Sequence, residues 1–274
     1  AISGLATAPP DWAEPDLVLA WDGPRRNLLR NLHGLYQFLP RSPSPLAQDL
    51  LDIATTVYGA DLGAPRGRNE DWVRHLELLA PVREPDFWQD RAGDLSYLLY
   101  VLTRDSFHFT FAPRAAEVAP EPTGATPRDA DAVCLLSGGI DSLAGALMLQ
   151  HTGRRPLLVC HQSGNPTVLQ AQGHVAKLLA TVAPGQATMG SVRLLPDGRG
   201  PEGPATEREP SQRSRAFLFT SLALAAADAL GVGEAYIPEN GILTMALPLA
   251  AARVGGLSTR STHPKVIALL NALA

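Results

Sequence analysis

The chain has 274 residues, of which 45% are hydrophobic and 18% are charged, a composition typical of one large globular domain or of a main domain with a smaller neighbour. A formal net charge of −4 excludes a strongly basic nucleic-acid-binding protein, and two cysteines are too few for a disulfide framework or a zinc cluster. Residues 1–12 show no signal-peptide pattern, and the most apolar stretch, residues 216–230, is short for a membrane span. We therefore expect a soluble cytoplasmic protein.

The first part of the chain, residues 1–118, mixes helix and strand patterns and is predicted to form an accessory α+β domain. Residues 17–21 are an apolar strand candidate. Ser44 followed by Pro45 is typical of a helix start, because the serine side chain caps the helix and proline fits its first position. The apolar stripe that follows predicts a helix that Gly59 can end.

A second helix is predicted to begin near Asp86. A strand with one buried face is indicated by apolar residues that alternate with polar ones, namely Phe107, Phe109 and Phe111. Residues 119–131 are rich in proline and lack periodicity, so they are predicted to be a linker. A similar stretch, residues 196–210, is predicted to be a lid or a disordered insertion.

The remaining part of the chain, residues 132–274, alternates short apolar strands with helices. This pattern indicates a parallel sheet that is covered by helices on both faces, in which ligands bind beyond the carboxyl ends of the strands. The predicted strands are residues 132–136, 156–160, 192–195 and 235–237, and the predicted helices follow the first two strands and span residues 211–230.

The most informative segment is Ser-Gly-Gly-Ile-Asp-Ser, residues 137–142, between a strand and a helix. Gly138 and Gly139 let the backbone approach a ligand closely, and the amides of such a loop, with the helix start, favour an anion. Asp141 would repel phosphate unless Mg²⁺ lies between them. The segment matches neither the Walker A loop nor the dinucleotide-binding fingerprint. The alternative is a glycine-rich turn without ligand.

The segment 137–142 resembles the pyrophosphate loop of the PP-loop ATP pyrophosphatases, which cleave ATP to AMP and pyrophosphate and usually adenylate a substrate. The resemblance implies a Rossmann-like fold of the adenine nucleotide alpha hydrolase type, with ATP and Mg²⁺ bound. It also implies that the adenine lies at the end of the second strand. The cofactor-binding residues implied in this way are Ser137, Gly138, Gly139, Ile140, Asp141, Ser142, Cys160 and His161.

Longer motifs narrow the resemblance to the QueC-like (7-cyano-7-deazaguanine synthase-like) proteins. The segment SQRSRAFLF, residues 211–219, is similar to the QueC helix whose first arginine lies near the ATP phosphates, and Arg215 matches that arginine best. The segments IPENG and LSTRSTHP, residues 237–241 and 257–264, resemble QatC-type proteins of the Qat anti-phage defence system. So do ADLGAPRG and DFW in the accessory region.

Several polar residues are candidates for contact with ligands. Arg213 and Arg215 lie at a helix start, where the helix dipole disfavours cations unless an anion is near. Six more residues are proposed to contact the substrate, namely Glu239, Asn240, Thr259, Arg260, Thr262 and His263. The first two follow a predicted strand, and the alternative for them is a turn. The other four precede Pro264, and the alternative for them is a helix cap.

The resemblance implies a reaction in which a carboxylate attacks the α-phosphorus of ATP and an amine then attacks the acyl adenylate. Asp141 would hold Mg²⁺ and Arg215 would offset developing charge. The implied acid is 7-carboxy-7-deazaguanine, and the product is an amide or a nitrile. A partner-protein amine, from the same defence operon, is a hypothesis for the acceptor. Because the chain lacks the cysteine cluster that QueC enzymes carry, no zinc is expected in it; no membrane contact or direct nucleic-acid binding is expected either.

Two alternatives remain open at this point. A tRNA-modifying thiolase of the same superfamily would need a sulfur-carrying cysteine, and Cys134 and Cys160 both lie in apolar runs. A non-catalytic scaffold that binds nucleotide and partner proteins would bind ATP without releasing AMP.

Overall fold

A computed structural model describes residues 2–3, 15–21, 26–66, 73–114, 130–162, 164–185, 187–196, 209, 211–241 and 260–273. The strands are β1 (Ile2–Ser3), β2 (Leu17–Val18), β3 (Leu28–Asn31), β4 (His75–Val82), β5 (Ser106–Pro113), β6 (Ala132–Leu135), β7 (Pro156–His161), β8 (Thr188–Pro196) and β9 (Ala235–Tyr236). The helices are α1 (His33–Tyr36), α2 (Pro45–Gly63), α3 (Pro85–Asp90), α4 (Ala92–Thr103), α5 (Ile140–His151), α6 (Pro166–Val182), α7 (Arg215–Leu230) and α8 (Pro264–Leu273).

Three predictions fall wholly or largely outside the described residues. Most of the predicted linker 119–131 and most of the predicted loop 196–210 lie there, and so does Thr259.

The strands of the N-terminal part form a four-stranded sheet in the order β2-β1-β4-β5, in which every pair is parallel. Helices α3 and α4 connect β4 to β5, as parallel pairing requires a crossover. This region is therefore α/β, and the expected α+β arrangement is wrong. The predicted strand with one buried face is confirmed, since Phe107, Phe109 and Phe111 of β5 are buried.

The second sheet has the order β3-β8-β7-β6-β9 and is parallel except for β3, which pairs antiparallel with β8. Its helices α5, α6 and α7 alternate with the strands along the chain. The predicted α/β fold with a mostly parallel sheet is confirmed. Strand β3 was not predicted, and it brings a piece of the N-terminal region into this sheet.

Helix ends follow local capping chemistry at most of the predicted places. The Ser44 hydroxyl accepts a hydrogen bond from the Ala47 amide at 3.3 Å, and α7 ends at Gly231 in the left-handed region with φ of 72°. Gly59 does not end α2, which continues through Gly63. The role of Gly59 is instead to let the Leu19 side chain pack closely against the helix. A Cβ at that position would lie 2.8 Å from the Leu19 side chain.

Two other predicted helices differ from the structure at their ends. The single helix predicted near Asp86 is two helices, α3 and α4, with Arg91 between them. Helix α7 begins at Arg215 rather than at Ser211, because residues 211–214 turn against the N-terminal region.

One buried hydrophobic cluster runs through both sheets, and helix α2 packs against α7 at its centre. Residues from both parts of the chain are fully buried in it, including Leu51, Leu78, Leu157 and Leu218. The N-terminal region therefore packs directly on the region that follows it. The domain boundaries at 118 and 132 stay a prediction. Among the described helices, none combines the length and the apolar character that crossing a membrane requires.

Candidate functional site

A cavity of about 910 Å³ opens at the carboxyl ends of β6, β7, β8 and β9. Its wall includes Ser137 after β6, His161 at the end of β7, Leu195 near the end of β8 and Ile237 after β9. Tyr58 of α2 closes one side from the N-terminal region. This is the place where parallel α/β sheets bind ligands, and the volume suits a ligand the size of a nucleotide.

The described part of the cavity wall is rich in cationic groups. The starts of three helices, α5, α6 and α7, contribute residues to it, as does the turn before α8, and helix starts carry partial positive charge. Of the described residues that line it, three are arginines (Arg213, Arg215 and Arg260) and one, Glu239, is acidic. Positive walls around a concave space attract anionic ligands, so the site is built for an anion.

The glycine loop between β6 and α5 is held in place by its own serines. Buried Ser142 donates from its hydroxyl to the Gly139 carbonyl at 2.8 Å and accepts from the Gly138 amide at 3.2 Å. Exposed Ser137 donates to the Ser142 hydroxyl and accepts from the Gly139 amide, both at 3.2 Å. The hydroxyl of Ser142 therefore shapes the loop, and Ser137 is the serine that a ligand can reach.

Gly138 is required by the shape of this loop. Its φ is +92°, and a Cβ there would lie 2.9 Å from the backbone nitrogen of Gln172 in α6. Gly139 has an ordinary φ of −83°, and a Cβ there would meet its nearest atom at 3.4 Å.

We expect Gly138→Ala to lower the free energy of unfolding by about 1–3 kcal/mol, since the loop must shift to relieve backbone strain and a backbone clash. Equilibrium unfolding in urea measures the effect. Gly139→Ala is the matched control and should change stability by no more than about 0.5 kcal/mol. Equal stabilities of the two variants would contradict the need for a left-handed residue at position 138.

Asp141 lies in the first turn of α5, and Ile140 before it is 80% exposed. In the described part of the chain, the Asp141 carboxylate has no hydrogen bond or ion pair. No group of three or more metal-ligating side chains occurs among the described residues. Mg²⁺ commonly binds through one carboxylate, substrate phosphates and water, so Asp141 fits a Mg²⁺ ion that is carried by phosphates.

Three aromatic rings line one corner of the cavity. His161 meets Tyr58 edge-on at 6.5 Å between ring centroids and lies 5.2 Å from Phe219 of α7. Burial lowers the pKa of His161, and the charge of Arg215 acts in the same direction, against the hydrogen bond with the Leu194 carbonyl at 2.9 Å. The imidazole is therefore neutral near pH 7 and donates from Nε2, so this corner of the cavity is aromatic and has the Arg215 guanidinium beside it.

Arg215 is exposed at the start of α7, with its guanidinium 5.8 Å from the Phe219 ring. In the part of the chain that the structure describes, no carboxylate pairs with it. Cys160 differs from the other predicted cofactor residues, because its side chain is buried in the core cluster under α5 and α6. Cys160 is not among the residues that line the cavity, and burial raises the pKa of its thiol to about 12.

The start of α7 is anchored by a buried ion network from the N-terminal region. Asp61 of α2 accepts from the amide and hydroxyl of Ser214 at 2.9 and 2.8 Å, and it forms an ion pair with Arg74 at 2.5 Å. Arg66 and Arg74 both bond Asp105. This network fixes the turn that carries Arg213 and Arg215. Sequence reasoning singled out the segment ADLGAPRG without assigning a role to Asp61 or Arg66 within it.

The same network includes Glu209, whose carboxylate accepts from the Arg66 and Ser211 amides, both at 3.1 Å. Gln212 adopts a left-handed backbone with φ of 44°, and its side-chain carbonyl accepts from the Tyr58 hydroxyl at 3.4 Å. Residue 209 and residues 211–214 thus bind the N-terminal region at several points before α7 begins.

This network predicts a loss of stability in acid. Burial alone would raise the pKa values of Asp105 and Glu209, but hydrogen bonds outweigh burial and lower both pKa values. Asp105 accepts these bonds from Arg74 and Arg66, and Glu209 accepts them from Ser211 and Arg66. A carboxylate with a lowered folded-state pKa stabilises the fold above its unfolded pKa, and this contribution is lost as pH falls. We expect the free energy of unfolding in urea to decline below about pH 4.5. Glu209→Gln should show a shallower decline, and a flat profile down to pH 3 would contradict the network.

The proposed substrate residues separate in the structure. Arg260 and Thr262 line the cavity, and exposed Glu239 lies at its rim. Asn240 is exposed and is not part of the wall. The Nδ1 atom of His263 accepts a hydrogen bond from the Lys265 amide at 3.2 Å. His263 therefore caps α8, as the helix-cap alternative to a substrate contact predicts. Sequence reasoning missed Tyr58, which lies far from the glycine loop in sequence.

Comparison with known proteins assigns no family. No protein-family model, no curated protein and no solved structure matches the chain. The geometry of the cavity is therefore the basis of the functional argument.

Proposed function

We propose that this protein binds ATP with Mg²⁺ and adenylates a carboxylate, with release of pyrophosphate. The observation that carries the proposal is the cavity at the carboxyl ends of the parallel strands, with Ser137 and Ser142 of the glycine loop and three arginines in its wall. Three arginines exceed what one singly charged anion requires. A nucleoside triphosphate and a carboxylic acid that bind together both bring negative charge to one site, and they account for this number of cationic groups.

The resemblance to PP-loop enzymes orients ATP in this cavity. The β- and γ-phosphates lie on the loop at residues 137–142, where the first amides of α5 lack helical partners. Mg²⁺, held by Asp141 and the phosphates, would neutralise the charge of the departing pyrophosphate. Arg215 stabilises charge that develops as the bond to the α-phosphorus changes. The adenine lies at the end of β7, near Cys160 and beside the neutral imidazole of His161, which lines the cavity.

The acid oxygen attacks the α-phosphorus and the bond to pyrophosphate breaks, which yields an acyl adenylate. An amine then attacks the acyl carbon, and AMP leaves with the former carboxylate oxygen. By resemblance to QueC-like proteins, the acid is 7-carboxy-7-deazaguanine, and one cycle gives an amide. With ammonia as the amine, a second cycle in which ATP adenylates the amide oxygen, with release of pyrophosphate, would give a nitrile as AMP leaves with that oxygen. An amine of a partner protein in an anti-phage defence complex is the proposed acceptor.

The first experiment measures AMP and pyrophosphate release from ATP and Mg²⁺, with and without 7-carboxy-7-deazaguanine. The acid should stimulate release, and Asp141→Ala should abolish the stimulation. Asp90→Ala, at an exposed carboxylate of α3, is the control and should behave as the parent. ATP binding without AMP under any condition would favour a nucleotide-binding scaffold instead.

The acceptor is tested by mass spectrometry of reactions that contain the proteins of the same operon. Amide formation predicts that one partner gains the mass of the acyl group. A partner without any mass gain, in a reaction that releases AMP, would point to ammonia as the amine.

The buried cysteines weigh against a tRNA thiolase. Cys134 and Cys160 are at most 1% exposed, and burial raises the pKa of each thiol to about 12. A sulfur carrier needs an accessible thiolate, which neither residue supplies. Detection of a persulfide on either cysteine would revive that alternative.

A further inference from the structure

A second concave surface, of about 500 Å³, lies between helix α4 and strand β5. Tyr97 and Tyr100 line it from α4, and residues 106–109 line it from β5. The two tyrosines are 43% and 41% exposed. Exposed aromatic side chains that share one concave surface are typical of contact with another molecule. We call this surface the α4–β5 groove.

Strand β5 borders the groove with an open edge. Among the described strands, only β4 pairs with it. The amides of Ser106 and Arg114 donate to carbonyls on the β4 side. In a parallel pair, every second residue bonds the neighbouring strand and the residues between them face away from it. The backbone N–H and C=O groups of Phe107, Phe109 and Phe111 therefore face outward from the sheet.

Strand β5 has few of the features that keep an edge from pairing with another chain. It is eight residues long, contains no lysine, and has its only proline, Pro113, at its last position. Within the described part of the chain, no hydrogen bond serves the outward amides of Phe107 and Phe109. An open strand edge beside a helix-lined groove is suited to the addition of an extended peptide as a further strand.

The charges around the groove favour an acidic peptide. The Lys265 ammonium, from α8, lies 4.6 Å from the centroid of the Tyr97 ring, and the Arg104 guanidinium lies 5.4 Å from that of Tyr100. Among the residues that the structure describes, neither cation forms an ion pair with a carboxylate. The described wall contains no aspartate or glutamate, and Asp94, one helical turn before Tyr97, lies outside it.

We propose that the α4–β5 groove binds an extended acidic segment of a partner protein, which pairs with the outer edge of β5. The backbone of the segment bonds the outward groups of Phe107 and Phe109. Alternate side chains of a strand share one face, so every second residue of the segment faces α4, where its carboxylate meets Lys265 or Arg104. The described walls of the groove and of the cavity share no residue, so this inference does not depend on the proposed reaction.

Hydrogen exchange of the full chain, followed by NMR, tests the open edge. The amides of Phe107 and Phe109 should exchange at least about tenfold faster than those of His108 and Thr110, which point toward β4. Equal protection of the two sets in the free chain would show that another segment or a second copy already occupies the edge, and it would overturn the proposal.

The binding probe is a fluorescent eight-residue peptide of alternating valine and glutamate, titrated with the full chain and followed by anisotropy. It should bind saturably, and its analogue with lysine in place of glutamate should bind at least about tenfold more weakly. N-methylation of every second peptide amide should cost at least about tenfold in one phase and no more than about threefold in the other, because only one set of amides bonds β5. The bound peptide should also slow exchange of the Phe107 and Phe109 amides.

Two substitutions place the peptide in the groove. Tyr100→Ala should weaken binding at least about fivefold through lost contact area. Lys265→Gln should weaken it about three- to tenfold, with the effect fading in high salt. Lys177→Gln, at an exposed position of α6 and the other lysine of the chain, is the matched control and should bind within about twofold of the parent.

Three results would overturn the proposal: no saturable binding by the parent chain, equal affinity for the lysine analogue, or equal losses in the two N-methylation phases. Saturable binding that Tyr100→Ala and Lys265→Gln leave unchanged would place the peptide elsewhere and would contradict it as well. Because no ATP is present in these measurements, their outcome is separate from that of the AMP assay.

Discussion

Arg215→Gln is expected to lower the rate of AMP formation by about 10²–10³-fold at saturating ATP and acid. The guanidinium stands in the cavity over the Phe219 ring, and in the described portion of the chain it has no carboxylate partner, so its charge is available to the reaction. Glutamine keeps hydrogen-bonding capacity and removes the charge. Because charge develops mainly in the transition state, kcat should fall far more than ATP affinity. Single-turnover kinetics with labelled ATP measures the change.

Arg193→Gln is the matched variant for this prediction, since Arg193 is exposed on β8 and lies away from the cavity wall. Its rate should stay within about twofold of the parent. Arg215→Gln should also unfold at the same urea concentration as the parent, because its side chain is exposed and bonds no other residue among those described. A rate loss below about threefold would show that Arg215 does not stabilise the transition state of the proposed reaction.

Asp61→Ala is expected to lower the free energy of unfolding by about 3–5 kcal/mol. Asp61 is 0% exposed and bonds both Ser214 and Arg74. Alanine leaves the guanidinium of Arg74 buried with one carboxylate fewer and leaves the Ser214 amide without its acceptor. Equilibrium unfolding in urea at pH 7 measures this change.

The control for Asp61→Ala is Asp90→Ala, at an exposed carboxylate of α3, which should change stability by no more than about 0.5 kcal/mol.

The network also predicts which part of the Asp61 variant opens first. Hydrogen exchange should rise first in residues 209–218 of the Asp61 variant, where α7 begins, rather than in the sheet. Uniform exchange through the chain, or a loss below 1 kcal/mol, would show that the network does not anchor α7.

Local chemistry in the sequence predicted much of the second sheet and the glycine loop. Ser44 and Asn165 each precede a proline and cap α2 and α6 through their side chains. The loop at residues 137–142 lies between β6 and α5, as its glycines indicated. These features depend on contacts within a few residues, so short patterns are sufficient to reveal them.

Features that depend on distant contacts were not predictable in the same way. Strand β3 pairs with β8, more than a hundred and fifty residues later, and four residues of mixed character do not indicate that partner. Tyr58 lies on a helix that is buried from Asp49 through Leu62, so nothing local marks it as a cavity residue. The bond between Asp61 and Ser214 joins residues 153 positions apart. Burial of an aspartate is unusual, and only the fold shows which groups compensate it.

The central claim is that a carboxylate oxygen attacks the α-phosphorus of ATP. Incubation of the full chain with ATP, Mg²⁺ and 7-carboxy-7-deazaguanine labelled with ¹⁸O in both carboxylate oxygens, followed by mass spectrometry of the AMP, tests it most directly. Adenylation transfers one ¹⁸O atom to AMP, so the account predicts AMP that is heavier by about 2 Da. AMP that contains no label in this reaction, or ADP and phosphate in its place, would contradict it.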